Sequence, residues 1–263
     1  MTLKGTLMFK RRQRVISITG AGGKTSFMYA QALLNVRLGR RVVLTTTTHI
    51  LRPSPQEGWR LSDSGKDAAE DFLLFENTAA PPGHLLLCAK QCGGQPQKLT
   101  SVFSDPREQG TAPSLSDAPY FRKIFSRADI IISEADGARR MPLKLPGDYE
   151  PVLLQQTKTV IGVAGLSCLG KPFGQVCYGD EAALRRFCKD PETPVTEEMI
   201  ARILASPDGI RKGAEGRDYI AVLNQCDTRE DLLAAGRIRT LLGERGVSNV
   251  LVCHFGEVVY ERR

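Results

Sequence analysis

No apolar run in this chain approaches the roughly eighteen residues that a membrane-spanning helix needs. In the basic stretch from Met1 to Arg14, the apolar residues around Leu7-Met8-Phe9 are too few for a secretory signal core. We therefore expect a cytoplasmic protein with no membrane partner. A continuous basic stripe with interleaved aromatics is also missing. The formal charge of +7, from 36 basic and 29 acidic residues, is dispersed over doublets such as Arg40-Arg41 and Arg139-Arg140. That pattern argues against nucleic acid as a partner and leaves anionic small molecules. The 7 cysteines are scattered and odd in number, as expected of small buried hydrophobes in a reducing compartment. Cys88-x-x-x-Cys92 is the one close pair, and no second pair completes a zinc set. A metal- or sulfur-handling role would fall on these two. Internal repeats and low-complexity tracts are absent.

What is present reads as an α/β protein. Short, nearly continuous β-branched runs recur at Val15–Ile18, Val42–Leu44, Ile130–Ile132, Val160–Val163, Ile220–Leu223 and Val250–Val252. Runs of this kind are typical of parallel strands covered on both faces. A helix is predicted from about Thr25 to Gly39. Another should follow the capping-box pattern Thr228-x-x-Asp231 and stop near Gly243. Helical segments are also expected over 181–189 and 196–205. Residues 52–120, rich in Pro, Gly, Ser and Gln, read as an inserted loop-rich segment with one firm strand at Leu85–Leu87. The prediction is a single P-loop NTPase-like domain over 1–263, with a mostly parallel, doubly wound sheet and helices on both faces.

Gly20-Ala21-Gly22-Gly23-Lys24-Thr25 follows the first strand and opens the first helix. Glycines there let backbone N–H groups approach phosphate oxygens at the positive end of a helix. Lys24 would neutralise the terminal phosphates of ATP or GTP, Thr25 would hold Mg²⁺, and Ser26 lies in the same turn. Ile18 occupies the position where a full-length loop has glycine, and the compact form resembles the loop of the Mur-type amide ligases. The run Ile130-Ile131-Ile132-Ser133-Glu134-Ala135-Asp136 places carboxylates at a strand tip, as a Walker B element does. Period-two alternation puts Glu134 and Asp136 on one face. Glu134 would share Mg²⁺ with Thr25, Asp136 would position a nucleophile or second cation, and Arg139 would offset transition-state charge. Asn224-Gln225-Cys226-Asp227 resembles the Asn-Lys-x-Asp element that reads guanine, with Gln225 in place of lysine. Asn224 and Asp227 are thus candidate base readers, although both residue types also form ordinary turns and caps. Thr47, Thr48 and His49, after the second strand, and Lys144 are candidate substrate contacts.

Together, Gly20–Thr25, Leu44–His49, Ser133–Arg139, Pro142–Pro146 with Glu150-Pro151, and Val222–Asp227 resemble the YqeC family. Gln225 and Leu145 depart from its pattern, where lysine and alanine are expected. Members are associated with maturation of selenium-dependent molybdenum hydroxylases, so the resemblance implies a partner of that class, or its cofactor. The expected function is a Mg²⁺-dependent nucleoside triphosphatase acting as an accessory factor in that maturation. Two rivals stand beside it: an ATP-dependent ligase or kinase-like transferase with a small acceptor, and a non-hydrolysing cofactor-binding chaperone.

Overall fold

A computed structural model describes residues 14–52, 59–62, 84–103, 105, 110–119, 121–254 and 257–261. In chain order the first elements are β1 (Arg14–Gly20), α1 (Lys24–Arg37), β2 (Arg41–Thr46), β3 (His49–Leu51), β4 (Trp59–Ser62), β5 (His84–Cys88), β6 (Lys90–Cys92) and β7 (Gln95–Thr100). They are followed by α2 (Arg122–Arg127), β8 (Ile130–Glu134), β9 (Leu143–Lys144), β10 (Thr157–Gly165), α3 (Phe173–Val176) and β11 (Cys177–Tyr178). The last elements are α4 (Glu181–Phe187), α5 (Glu197–Ala205), β12 (Asp218–Asn224), α6 (Arg229–Glu244), β13 (Val250–His254) and β14 (Glu257–Glu261).

Nine strands form the main sheet in the order β14-β13-β12-β10-β1-β8-β2-β5-β4. All neighbours are parallel except β13 and β14. The β-branched runs explain why the sheet is covered twice. Ile16, Ile18, Val42, Leu44, Ile130 and Ile132 pack with Phe27, Met28 and Ala32 of α1 on one face. The alternate residues Val15, Val43 and Ile131 pack with Ile124 and Phe125 of α2 on the other. Farther along that second face, Val160, Ala221 and Leu223 meet Ile200 and Ile203 of α5 and Ala235 and Ile238 of α6. Alternation along strands buried on both sides thus defines two apolar layers with one central sheet.

The predicted cap holds. Thr228 and Asp231 form a reciprocal capping box at the start of α6, and the Thr196 hydroxyl caps α5. After α1 ends at Arg37, Gly39 adopts φ 78°. Of the loop-rich segment expected over 52–120, residues 53–58, 63–83, 104, 106–109 and 120 lie outside the described residues. β5 pairs with β2 inside the main sheet, and β3, β7 and β6 form a separate antiparallel sheet. β7 escapes sequence reading because Gln95-Pro-Gln-Lys-Leu-Thr has no alternating pattern, and Leu99 is its one large apolar residue.

β1 occupies the switch point of the sheet. The chain leaves it through α1 to β2 on one side, whereas β10 flanks it on the other. Crevices at such points, outside the carboxyl ends of the strands, are where open α/β sheets bind ligands.

Candidate functional site

The loop after β1 is shaped by close backbone approach. Gly22 has φ 73°, and a Cβ there would lie 2.2 Å from the Gly165 backbone nitrogen and 2.7 Å from the Pro142 carbonyl oxygen. Gly23 has φ 102°, and a Cβ would lie 2.4 Å from Asn224 Nδ2. Any side chain at either position would push the loop off its supports. Gly23 is also the N-cap of α1, where no side chain accepts from the first-turn N–H groups and no acidic residue stands in the first turn. That leaves unsatisfied donors at the positive end of a fourteen-residue helix, a ready anion site.

Behind the loop runs a chain of alternating charge. Lys24 Nζ donates to the Gly20 carbonyl at 2.6 Å and pairs with Asp136 Oδ1 at 3.1 Å and Glu134 Oε1 at 3.9 Å. The other oxygen of Asp136 accepts from the Gly20 N–H at 3.0 Å. Lys144, wholly buried, pairs with Glu150 at 2.7 Å and lies 3.8 Å from Asp136, and it donates to the Gly137 carbonyl. Burial by itself lowers the pKa of Lys24, but Asp136 and Glu134 outweigh it and the net direction is upward, so the ammonium is retained. Burial raises the pKa of Glu134, against the opposing pull of Lys24 and of the hydrogen bond from Thr25. That bond, Thr25 Oγ1 to Glu134 Oε2 at 2.8 Å, joins the two residues expected to hold a metal.

A cleft of about 980 Å³ opens over this cluster. Ala21, Gly22, Gly23, Lys24, Thr25 and Ser26 form one wall. Glu134, Thr47, Thr48, His49 and Arg139 continue it across the strand ends. Thr47 and Thr48 differ in use. The Thr47 hydroxyl is spent on the Val152 carbonyl at 2.6 Å, whereas the Thr48 hydroxyl oxygen is buried with no hydrogen-bond partner. Arg139 and Arg140 have φ 45° and 64°. Two consecutive non-glycine residues in the left-handed region cost on the order of 1–3 kcal/mol each, strain of the kind that clusters at functional sites. The Arg139 guanidinium lies 5.2 Å from the centre of the Tyr178 ring, which also faces Lys144 at 5.3 Å.

Five expected site residues, Gly20, Asp136, Lys144, Asn224 and Asp227, stand behind the cleft or away from it. Asp136, 2% exposed, braces Lys24 and the loop from below. Lys144 is held between Glu150 and Asp136 and does not line the cleft. Asp227, about half exposed, pairs with His254 at 2.7 Å. Asn224 is buried and donates to the Gly22 carbonyl at 2.8 Å, so it supports the glycine loop directly. Gln225, with φ 60°, lines the cleft and accepts from Ser167. Tyr149 and Tyr178, which also line it, carry no motif and were invisible to spacing arguments. Glu150 lay next to a proline among the resemblance residues, which was its only signal. Cys88 is fully buried and Cys92 half-buried, and the described residues contain no metal-binding group of three or more His, Cys, Asp or Glu. Burial pushes the Cys168 and Cys226 thiols up to about 12, leaving them protonated and inert.

A mostly parallel sheet flanked by helices, with a glycine-lysine-threonine loop at its switch point, places this chain in the P-loop NTPase-like α/β class. Residues 16–181 match the family described as YqeC protein, and the chain belongs to that family. Among curated proteins it is similar to the Uncharacterized protein YqeC of Escherichia coli (strain K12), at 35% identity over 161 residues. The match covers 61% of this chain and 55% of that relative, so the chain spans about half of the relative's length. The segment Asn224–Asp227 lies outside the residues matched to the family.

Proposed function

We propose that this protein binds a nucleoside triphosphate with Mg²⁺ and hydrolyses it as an accessory factor in the maturation of selenium-dependent molybdenum hydroxylases. The observation that carries the nucleotide reading is the uncapped amino end of α1, with Lys24 and the Thr25–Glu134 pair directly behind it. The metal fits the residues present. A hydroxyl and a carboxylate touching at 2.8 Å are hard oxygen donors, and Mg²⁺ in phosphate sites typically takes one or two protein oxygens beside phosphates and water. When bound, it supplies positive charge to the terminal phosphate oxygens.

The chain's own residues do the rest. Backbone N–H groups of Gly22 and Gly23 and of the first turn of α1 orient the phosphates. Lys24, now on the Gly20 carbonyl and Asp136, swings its ammonium to the terminal phosphates. Asp136 and Asn224 keep the loop in shape while it does so. Arg139, on the cleft wall, lies where charge developing on the leaving oxygens can be met. The maturation role rests on family membership and on the motifs that carry it.

The test is phosphate release from ATP and GTP by the wild type, Thr25→Ala and Glu134→Gln, alone and with a selenium-dependent hydroxylase apoenzyme. Metal-dependent release that both substitutions reduce by about 10²-fold or more supports the reading. Binding without turnover under every condition would instead favour a non-hydrolysing chaperone.

A further inference from the structure

The cleft is larger than a phosphate tail requires. Its volume, about 980 Å³, lies at the upper end of small-molecule sites. If the triphosphate lies as proposed, Thr25 and Glu134 mark its terminal phosphate. The lining also takes in His49 and Leu51 of β3, Lys98 of β7, Phe103 and the Gly147–Glu150 turn, which we call the outer half.

This outer half has its own chemistry. Five large hydrophobic side chains are exposed among the described residues, and two of them, Leu51 at 46% and Tyr149 at 70%, line this cleft. Phe103 gives a rigid apolar wall, because its ring stacks on Phe125 at 5.8 Å and belongs to the core behind it. Lys98 and the left-handed Arg140 bring positive charge to the same space. Thr48, whose hydroxyl oxygen is buried without a partner, lines the same cleft. Asp105, Asp148 and Glu150 line the cleft as well, Glu150 being taken up by Lys144; the exposed aromatic ring, Lys98, Arg140 and the orphan hydroxyl together suit a flat molecule with a localised negative charge.

We propose that the outer half is a second ligand site, occupied together with the nucleotide, for a small organic anion with a planar aromatic body. The ring packs on Tyr149 and Leu51, the anionic group meets Lys98 and Arg140, and Thr48 contributes a hydrogen bond. The ligand lies next to the terminal phosphate, as a second substrate would. This inference deepens the nucleotide reading and depends on it for the placing of that phosphate.

The probe is 1-naphthyl phosphate, titrated into the full chain by calorimetry with and without saturating non-hydrolysable triphosphate and Mg²⁺. 1-Naphthol and inorganic phosphate serve as comparators. The expected result is binding that persists when the nucleotide is present. It should weaken about tenfold in Tyr149→Ala and in Lys98→Ala, and by a similar factor for naphthol. Leu232→Ala, an exposed apolar position on α6, should leave it unchanged. Tyr149 is largely exposed, so its loss leaves the fold intact. Displacement of the probe by the nucleotide, or affinity indifferent to both substitutions, overturns the proposal. Should the wild type bind no nucleotide, the function proposed above fails separately. The nucleotide-free titration then decides the subsite: affinity dependent on Tyr149 and Lys98 supports it, and independent affinity overturns it.

Discussion

Two strand ends carry the polar motifs of this protein, and they are built in opposite ways. At the end of β8, Glu134 and Asp136 are buried and tied to Lys24, Thr25 and Gly20, more than a hundred residues earlier in the chain. At the end of β12 the motif divides. Asn224 is buried under Gly22, but Asp227 lies in the open against His254. Similar local sequence, a buried strand running into polar residues, therefore yields a site in one place and half a support in the other. Charge removed from water needs partners, and those partners hold the glycine loop in position. An exposed pair such as Asp227–His254 makes no such demand.

Breaking the first arrangement should have the largest effect. Asp136→Ala leaves two lysines buried beside an empty position, and loss of one partner from a buried ionic group costs about 3–5 kcal/mol. Urea denaturation should report that loss, and nucleotide binding should fall with it. Asp136→Asn, which keeps the shape and an acceptor for the Gly20 N–H, should lose less. Next in size is Asn224→Ala, which removes the donor to the Gly22 carbonyl. A cost of about 1–3 kcal/mol in stability is expected for the carbonyl left unsatisfied, together with weaker triphosphate affinity. Smallest is Asp227→Ala, which should change stability by less than about 1 kcal/mol. Its value lies in selectivity. If Asp227 reads the base, the ratio of GTP to ATP affinity measured by competition will move while the sum of phosphate contacts stays. An unchanged ratio would assign base recognition elsewhere.

The frame of the fold was legible because its signals are local. β-Branched runs named the strands β1, β2, β8, β10, β12 and β13, and Thr228-x-x-Asp231 named the start of α6. The glycine loop was legible for the same reason, since glycines and Lys24-Thr25 stand next to one another. What sequence could not show was partnership over distance. That Asp136 braces the loop from below depends on β1 and β8 lying side by side. That Lys144 is sealed between Glu150 and Asp136 depends on the turn carrying Glu150 folding back over it. The small β3-β7-β6 sheet was hidden by a strand of polar sequence, and with it the outer half of the cleft.

The central claim is that the loop at Gly20–Thr25 holds a nucleoside triphosphate through Lys24. The direct measurement is calorimetric titration of ATP and GTP, with Mg²⁺, into the wild type and Lys24→Ala, with circular dichroism confirming that both are folded. Saturable binding by the wild type, weakened about a hundredfold or more in the variant, is the predicted result. Equal affinity in the two proteins, or no binding by the folded wild type, would contradict it.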